Sequence, residues 1–280
     1  MKVIIFGAKG QLGSEFCNNF AKNNIAYLAY DYSDFDINNY NLTQQTIAEF
    51  RPDVVINCSA YTLVENAEND TIIAYSTNSL APSYLAILSK QYNFKLVHFS
   101  TDYVFDGSKS ELYIESDFAN PLNIYGKSKL LGENQIVNIS DNYLIFRLSW
   151  VYGNGQNNFI AKLGVWSQKS KHLKIADDEI SIPTSVKQIV EISTLAINQN
   201  LTGLFHLTNS GYASRFEWAN ELNTILHLGL YLERAKTSDF KSIVQRPLFS
   251  AMSNKKLSDT LDISIVDWRE DLRTYFSNFK

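Results

Sequence analysis

The sequence predicts an α/β protein: a doubly wound parallel sheet of the Rossmann type, with a smaller C-terminal substrate lobe whose segments interleave with it. Three observations predict this. Short apolar runs rich in Val, Ile and Phe recur through the first half, stretches of helical period lie between them, and a glycine-rich turn joins the first run to the first helix. Among 280 residues, 45% are hydrophobic and 19% charged, which excludes disorder, collagen and coiled coil.

The first strand is read at residues 3–6 and the first helix at 11–22, where Leu12, Phe16 and Phe20 recur at helical spacing. Further strands are read at 25–30, 53–57, 95–100 and 143–147, with helices at 42–50, 72–92 and 125–139 between them. Such runs suit buried parallel strands, and right-handed crossovers place the helices on both faces. After Trp150 the alternation weakens. Helices are read at 157–168, 185–199, 214–228 (with Ser214 as N-cap) and 267–279, and a strand at 204–207. Residues 1–150 are thus the dinucleotide-binding half, with helix 185–199 packing back on it. Residues 151–280 are the smaller lobe, and no Pro/Gly linker divides the two.

Charge and cysteine content narrow the classes of function. With 25 basic and 29 acidic residues the net charge is −4 and no basic run occurs, which argues against nucleic acid as a partner. Cys17 and Cys58 form no disulfide framework and read as small buried residues. The N-terminal apolar run is too short for a signal peptide and no stretch is long enough to span a membrane, so a cytoplasmic protein is expected. No metal-ligand spacing is present. His98 and His206 lie in strands and read as structural, and His172 and His227 as surface residues. The aromatic C-terminal stretch with Trp268, Tyr275, Phe276 and Phe279 reads as a helix packing on the lobe.

Two local patterns carry chemistry. In Gly7-Ala8-Lys9-Gly10-Gln11-Leu12-Gly13, Gly7 permits a tight turn, Gly10 lets backbone N–H groups approach a pyrophosphate, and Gly13 lets helix and strand pack closely. Asp31, at the end of the second strand, can accept hydrogen bonds from an adenosine ribose and would repel a 2′-phosphate, which favours NADH. Lys9 is placed to receive such a phosphate, which leaves NADPH open. Tyr125 and Lys129 stand four apart on one helix face near the carboxyl end of the fourth strand. A neighbouring ammonium lowers a tyrosine pKa, so the pair can deliver a proton to a carbonyl oxygen while a cofactor delivers hydride to the carbon. Lys129 can also hold the cofactor ribose, and Thr101, at the end of that strand, can hydrogen-bond the same carbonyl oxygen.

With these residues in place, the chain resembles the extended short-chain dehydrogenase/reductase family, and within it the reductases that act on nucleotide-activated 4-keto-6-deoxyhexoses. The matching segments include 7–13, 51–57, 60–62, 64–68, 100–107, 120–133, 146–153, 158–159 and 246–247, so the likeness covers nearly the whole chain. The resemblance implies that Gly10, Gln11 and Leu12 touch the pyrophosphate. It implies that Asp31, Asp36 and Ile37 flank the adenosine, and that Ala60, Tyr61 and Thr62 line the cofactor. It makes Tyr125 the proton donor, assisted by Lys129 and Thr101, and puts Asp102 and Trp150 against the sugar. Arg246 would face the substrate diphosphate, for which its fork of donors is suited.

The implied reaction is NADPH- or NADH-dependent reduction of the C4 ketone of a dTDP-linked 4-keto-6-deoxy sugar. Related dehydratases carry Asp-Glu after the threonine. Here Asp102 is followed by Tyr103, so the elimination pair is incomplete and reduction is favoured. The chain also departs from the reductase pattern. In Asp178-Glu179-Ile180-Ser181-Ile182-Pro183-Thr184, Glu179 stands where a neutral amide is usual and Ser181 where a glycine is usual. An extra carboxylate near an anionic substrate is unfavourable unless paired. Cys58-Ser59 likewise replaces small alanines before Ala60. Two other readings stay open, the first motivated by Glu179 and Ser181 and the second by a shared fold and similar motifs. One is a reductase or epimerase of a CDP- or UDP-linked sugar. The other is a non-catalytic NADP-binding regulatory subunit like the beta subunit of methionine adenosyltransferase. Some relatives form homodimers, and that arrangement is left open here.

Overall fold

The computed structural model describes residues 1–277. Its centre is a six-stranded parallel sheet of β1 (Lys2–Phe6), β2 (Ala26–Tyr30), β3 (Val54–Asn57), β4 (Lys95–Thr101), β5 (Tyr143–Leu148) and β6 (Gly203–His206), in spatial order 6-5-4-3-1-2. The chain runs outward from β1 to β2, then reverses through β3, so the carboxyl ends of β1 and β3 flank a switch in strand order. Their residues are buried on both faces, as the unbroken apolar runs require.

Helices cover both faces. On one side α1 (Gln11–Lys22) and α6 (Val186–Asn198) pack with Val3, Ile5, Val97 and Phe146. On the other lie α2 (Tyr40–Phe50), α3 (Ala81–Tyr92) and α4 (Ile124–Ile139), over Ile4, Val55, Leu96 and Ile145. The single helix expected over 72–92 is three pieces: a short turn at Thr71–Tyr75, a π-helical segment at Ser76–Leu80, then α3. The π segment sets Asn78 against the 60–62 loop: its Oδ1 accepts from Tyr61 N at 2.9 Å and its Nδ2 donates to Tyr61 O at 3.1 Å.

The remaining elements are α5 (Phe159–Lys169), α7 (Arg215–Ile225), α8 (Lys255–Leu261) and α9 (Trp268–Ser277). With several two-stranded pairs, α5, α7 and α9 form a second core around Trp218, Trp268, Tyr152 and Leu222, whereas α8 buries Leu257 and Leu261 in the core on the α1 and α6 side of the sheet. The pairing of His172–Ala176 with Tyr231–Ala235 has no counterpart in the sequence reading, and neither does α8. Both pairing partners are half-exposed strands with mixed side chains, so periodicity does not mark them. Ser214 does cap its helix, in a reciprocal box with Glu217. The helix expected at 267–279 is observed to Ser277, and Phe279 lies outside the described residues. Among the described residues no helix is long and apolar enough to cross a membrane, and no cluster of metal-ligating side chains is present.

Candidate active site

The glycine turn leaves β1 with Gly7 at φ +78°. Gly7 N and Ala8 N both donate to Tyr30 O, at 2.8 and 3.0 Å. A Cβ on Gly13 would lie 2.1 Å from Gly7 O, so only glycine lets α1 start this close to the strand. Helix α1 opens at Gly10 with no side-chain cap and no acidic residue in its first turn. Its first N–H groups therefore form a cradle that suits an anion, and a dinucleotide pyrophosphate fits it. The Gln11 side chain does something further: it donates to Val151 O at 3.2 Å and accepts from Asn158 Nδ2 at 3.2 Å, tying the turn to the second lobe.

The adenosine end is polar. Asp31 Oδ1 accepts from Lys9 N at 3.1 Å, and Lys9 Nζ donates to Ser33 Oγ and lies 3.6 Å from Asp34. Asp31 and Lys9 are thus joined through the Lys9 backbone N–H, while the Lys9 ammonium faces Ser33 and Asp34. Asp36 accepts from Asn38 N at 3.0 Å, while Ile37 is a core side chain at 7% exposure. Tyr61 is fixed by Asn78 and by a 2.6 Å hydrogen bond from its hydroxyl to Asp70. Ala60 is half-buried and Thr62 is exposed beside it.

Helix α4 carries the tyrosine and lysine. Asn123 caps it, accepting from Gly126 N at 2.9 Å. A Cβ at Gly126 would meet Tyr103 O at 2.2 Å, so a glycine here seats the helix start against the turn after β4. This brings Tyr125 to Thr101. Burial pushes the Tyr125 phenol up to about 12, a hydrogen bond with Thr101 pulls it down, and the Asp102 charge raises it. The expected ammonium effect on Tyr125 is not what the geometry shows. Lys129, 1% exposed, donates instead to Phe99 O at 2.6 Å and faces His98 Nε2 at 3.3 Å.

Asp102 is buried among hydroxyls. Its Oδ2 accepts from Ser250 at 2.6 Å and Ser181 at 2.9 Å, and its Oδ1 accepts from Thr101 at 3.1 Å. Burial raises it to about 6, while these hydroxyls and the Arg215 charge lower it. The serine that replaces a glycine is therefore a ligand of this carboxylate. Glu179, the other departure, is paired: Arg215 Nε and Nη2 donate to its Oε1 at 3.2 and 3.0 Å.

Next to these groups lies a cavity of about 440 Å³, lined among others by Trp150, Phe159, Lys162, Arg215, Lys241 and Arg246. Trp150 takes φ +40°, a strained backbone for a bulky residue. Its ring stacks on Trp218 at 5.5 Å and 12°, and the Arg215 guanidinium lies 3.6 Å from its centroid. Arg246 donates to Tyr103 Oη at 3.2 Å and to Glu65. Tyr125 meets Tyr103 edge-on at 5.9 Å, Tyr103 accepts from Arg246 of the cavity wall, and Gln11 of the glycine turn reaches Val151 and Asn158 of the same wall, a charged and aromatic setting that suits a nucleotide sugar. Arg215 was not singled out in the sequence; the helix cap at Ser214 is the only local signal beside it.

Fold and site together define a dinucleotide-dependent enzyme of the α/β sugar-nucleotide class. The chain belongs to the RmlD substrate-binding domain family, whose profile matches residues 1–280. It is 32% identical over 274 residues to the spore coat polysaccharide biosynthesis protein SpsK of Bacillus subtilis, covering 98% of this chain and 96% of that one. It is 31% identical to a dTDP-4-dehydrorhamnose reductase of Aggregatibacter actinomycetemcomitans, covering 97% of each. The crystal structure of a dTDP-4-dehydrorhamnose reductase from Clostridium acetobutylicum superposes with a TM-score of 0.96 at 32% identity, covering 100% and 99%. That of the Bacillus anthracis enzyme in complex with NADP gives 0.95 at 32% identity, covering 99% of each chain. A UDP-glucose 4-epimerase from Thermus thermophilus, at 17% identity and a TM-score of 0.83, shares the fold.

Proposed function

We propose that this protein reduces the C4 ketone of a dTDP-linked 4-keto-6-deoxyhexose, with dTDP-4-dehydro-L-rhamnose as substrate and dTDP-L-rhamnose as product. The observation that carries the reading is Tyr125 held beside Thr101 at the end of β4 and against Tyr103, whose hydroxyl accepts from Arg246 of the aromatic, cationic cavity. NADPH or NADH, when bound, supplies the hydride. The residues of this chain do the rest. Thr101 and Tyr125 hydrogen-bond the substrate carbonyl oxygen. A phenol held near 12 is protonated at neutral pH, which is the form needed to give a proton to the C4 alkoxide. The α1 N–H groups and Lys129 bind the cofactor, and Arg246, Lys162 and Lys241 receive the substrate diphosphate.

Reduction is favoured over elimination because Tyr103 stands where an elimination base is required. It is buried, burial and Glu179 raise its pKa further, and its hydroxyl accepts from Arg246. Relatives at about 30% identity over nearly their full length carry the same reductase name, and one solved relative holds NADP. The expected setting is the cytoplasm, where nucleotide sugars and reduced nicotinamide meet.

The test is a spectrophotometric assay of NADPH and NADH oxidation with dTDP-4-keto-6-deoxy-L-mannose and with CDP- and UDP-linked keto sugars. Turnover greatest with the dTDP sugar is expected. Preference for another nucleotide, or tight cofactor binding without turnover on any keto sugar, would overturn the reading.

A further inference from the structure

Behind Tyr125 lies a buried chain of polar groups: Asn57 at the end of β3, His98 on β4 and Lys129 on α4, each 1% exposed or less. The orientation of Asn57 is fixed, because its Oδ1 accepts from Ser59 N at 3.1 Å. Its Nδ2, a donor, therefore faces His98 Nδ1 at 3.2 Å. An imidazole nitrogen facing a donor must carry its lone pair, so the proton of the neutral ring sits on Nε2. That N–H points at Lys129 Nζ, 3.3 Å away. An N–H facing a lysine nitrogen forms a hydrogen bond only when the lysine offers a lone pair, as an amine does and an ammonium does not. Lys129 Nζ still donates to Phe99 O at 2.6 Å, which fixes its direction in either form.

We propose that His98, set in its Nε2–H tautomer by Asn57, is a positioning residue that orients Lys129 and stabilises its amine form. This rests on the reductase reading only in placing Lys129 beside the cofactor. Burial acts in the same sense, holding His98 well below its ordinary range and Lys129 down to about 8. The other titratable groups acting on Lys129, Glu133 and Cys58, oppose it and rank after burial. Glu133, on the same helix, accepts from Arg147 of β5 at 2.9 and 2.7 Å. The Cys58 thiol, just after β3, is raised well above its ordinary value by burial and is uncharged at neutral pH. Lys129 is the one titratable group acting on His98. The histidine that the sequence marked as merely structural thus controls the protonation of a site residue.

The decisive variant is Asn57→Asp. An aspartate keeps an acceptor for Ser59 N, but it turns an acceptor toward Nδ1, moves the ring proton there and leaves Nε2 as an acceptor for the Lys129 ammonium. Nitrogen NMR of histidine-labelled protein reads the tautomer, with four histidines to assign. Carbon NMR at the lysine Cε reads the Lys129 midpoint, and neither requires turnover. The expected result is Nε2–H in the unmodified protein, Nδ1–H in Asn57→Asp, and a Lys129 midpoint raised by about one pH unit or more. The alkaline limb of kcat against pH should move by the same amount. An Nδ1–H ring in the unmodified protein, or an unmoved Lys129 midpoint in the variant, would overturn the proposal. The unmodified protein alone decides the tautomer even if the variant does not fold. Correct titrations without turnover on any keto sugar would contradict the reductase reading and leave the positioning role standing.

Discussion

The two ends of the active-site cleft are built in different ways. The cofactor end is made of backbone from one βα unit: the strand, turn and helix of residues 2–22, with few side chains involved. The substrate end is made of side chains brought from far apart, including Glu65, Trp150, Glu179, Arg215 and Arg246, in paired charges and stacked rings. On the proposed reading the first offers N–H groups that any phosphate satisfies, and the second sets which nucleotide and sugar are accepted. A backbone cradle should fail all at once when its spacing is disturbed, whereas a side-chain pocket should change in steps.

The largest effect is expected at the cradle. Gly13→Ala places a Cβ 2.1 Å from Gly7 O, and backbone must shift to receive it. Cofactor binding, measured by calorimetry, should fall by about 100-fold or more, the loss of two or more backbone hydrogen bonds to phosphate. Near-normal affinity would show that the helix start is not the cradle. Tyr125→Phe should lower kcat by about 10²–10⁴ while cofactor affinity stays within about twofold, because only the proton donor is removed.

At the other end, Arg215→Ala leaves Glu179 buried without its cation and uncovers one face of Trp150. KM for the sugar nucleotide should rise by roughly 10–100-fold, with cofactor affinity unchanged. Equal losses for both ligands would mean that the two ends are not separate.

The last effect is on stability rather than on ligand binding. Asp102 is raised from 3.8 to about 6, so its ionised form is disfavoured in the fold. Stability should be greatest below about pH 4 from this group, should decline as pH rises toward 6, and should be level above that, by an amount on the order of 3 kcal/mol. Denaturant titrations of the protein and of Asp102→Asn should diverge in that window, the variant lacking this slope.

The same contrast explains what was legible in the sequence. The glycine turn and the five strands of the first half are local patterns, and the Tyr125/Lys129 pair, unspecific as spacing, gains its meaning from its place after the fourth strand. The sixth strand was placed in sequence at 204–207, but nothing local shows that it pairs with β5. Nor does spacing reveal that Ser181 and Ser250 converge on Asp102, or that Arg215 reaches Glu179 and Trp150, because these contacts span tens of residues. Glu179 looked misplaced beside an anionic ligand until its partner was seen. His98 looked inert because its orientation depends on Asn57, which a sequence does not place opposite it.

Hydride transfer to C4 is most directly tested with NADPH deuterated at the transferred position of its nicotinamide C4 and dTDP-4-keto-6-deoxy-L-mannose, with the product read by NMR. One deuterium at C4 of the dTDP-6-deoxysugar is the predicted result, formed about 10²–10⁴ times more slowly in Tyr125→Phe. Deuterium elsewhere, or cofactor oxidation without a labelled sugar, would contradict the account.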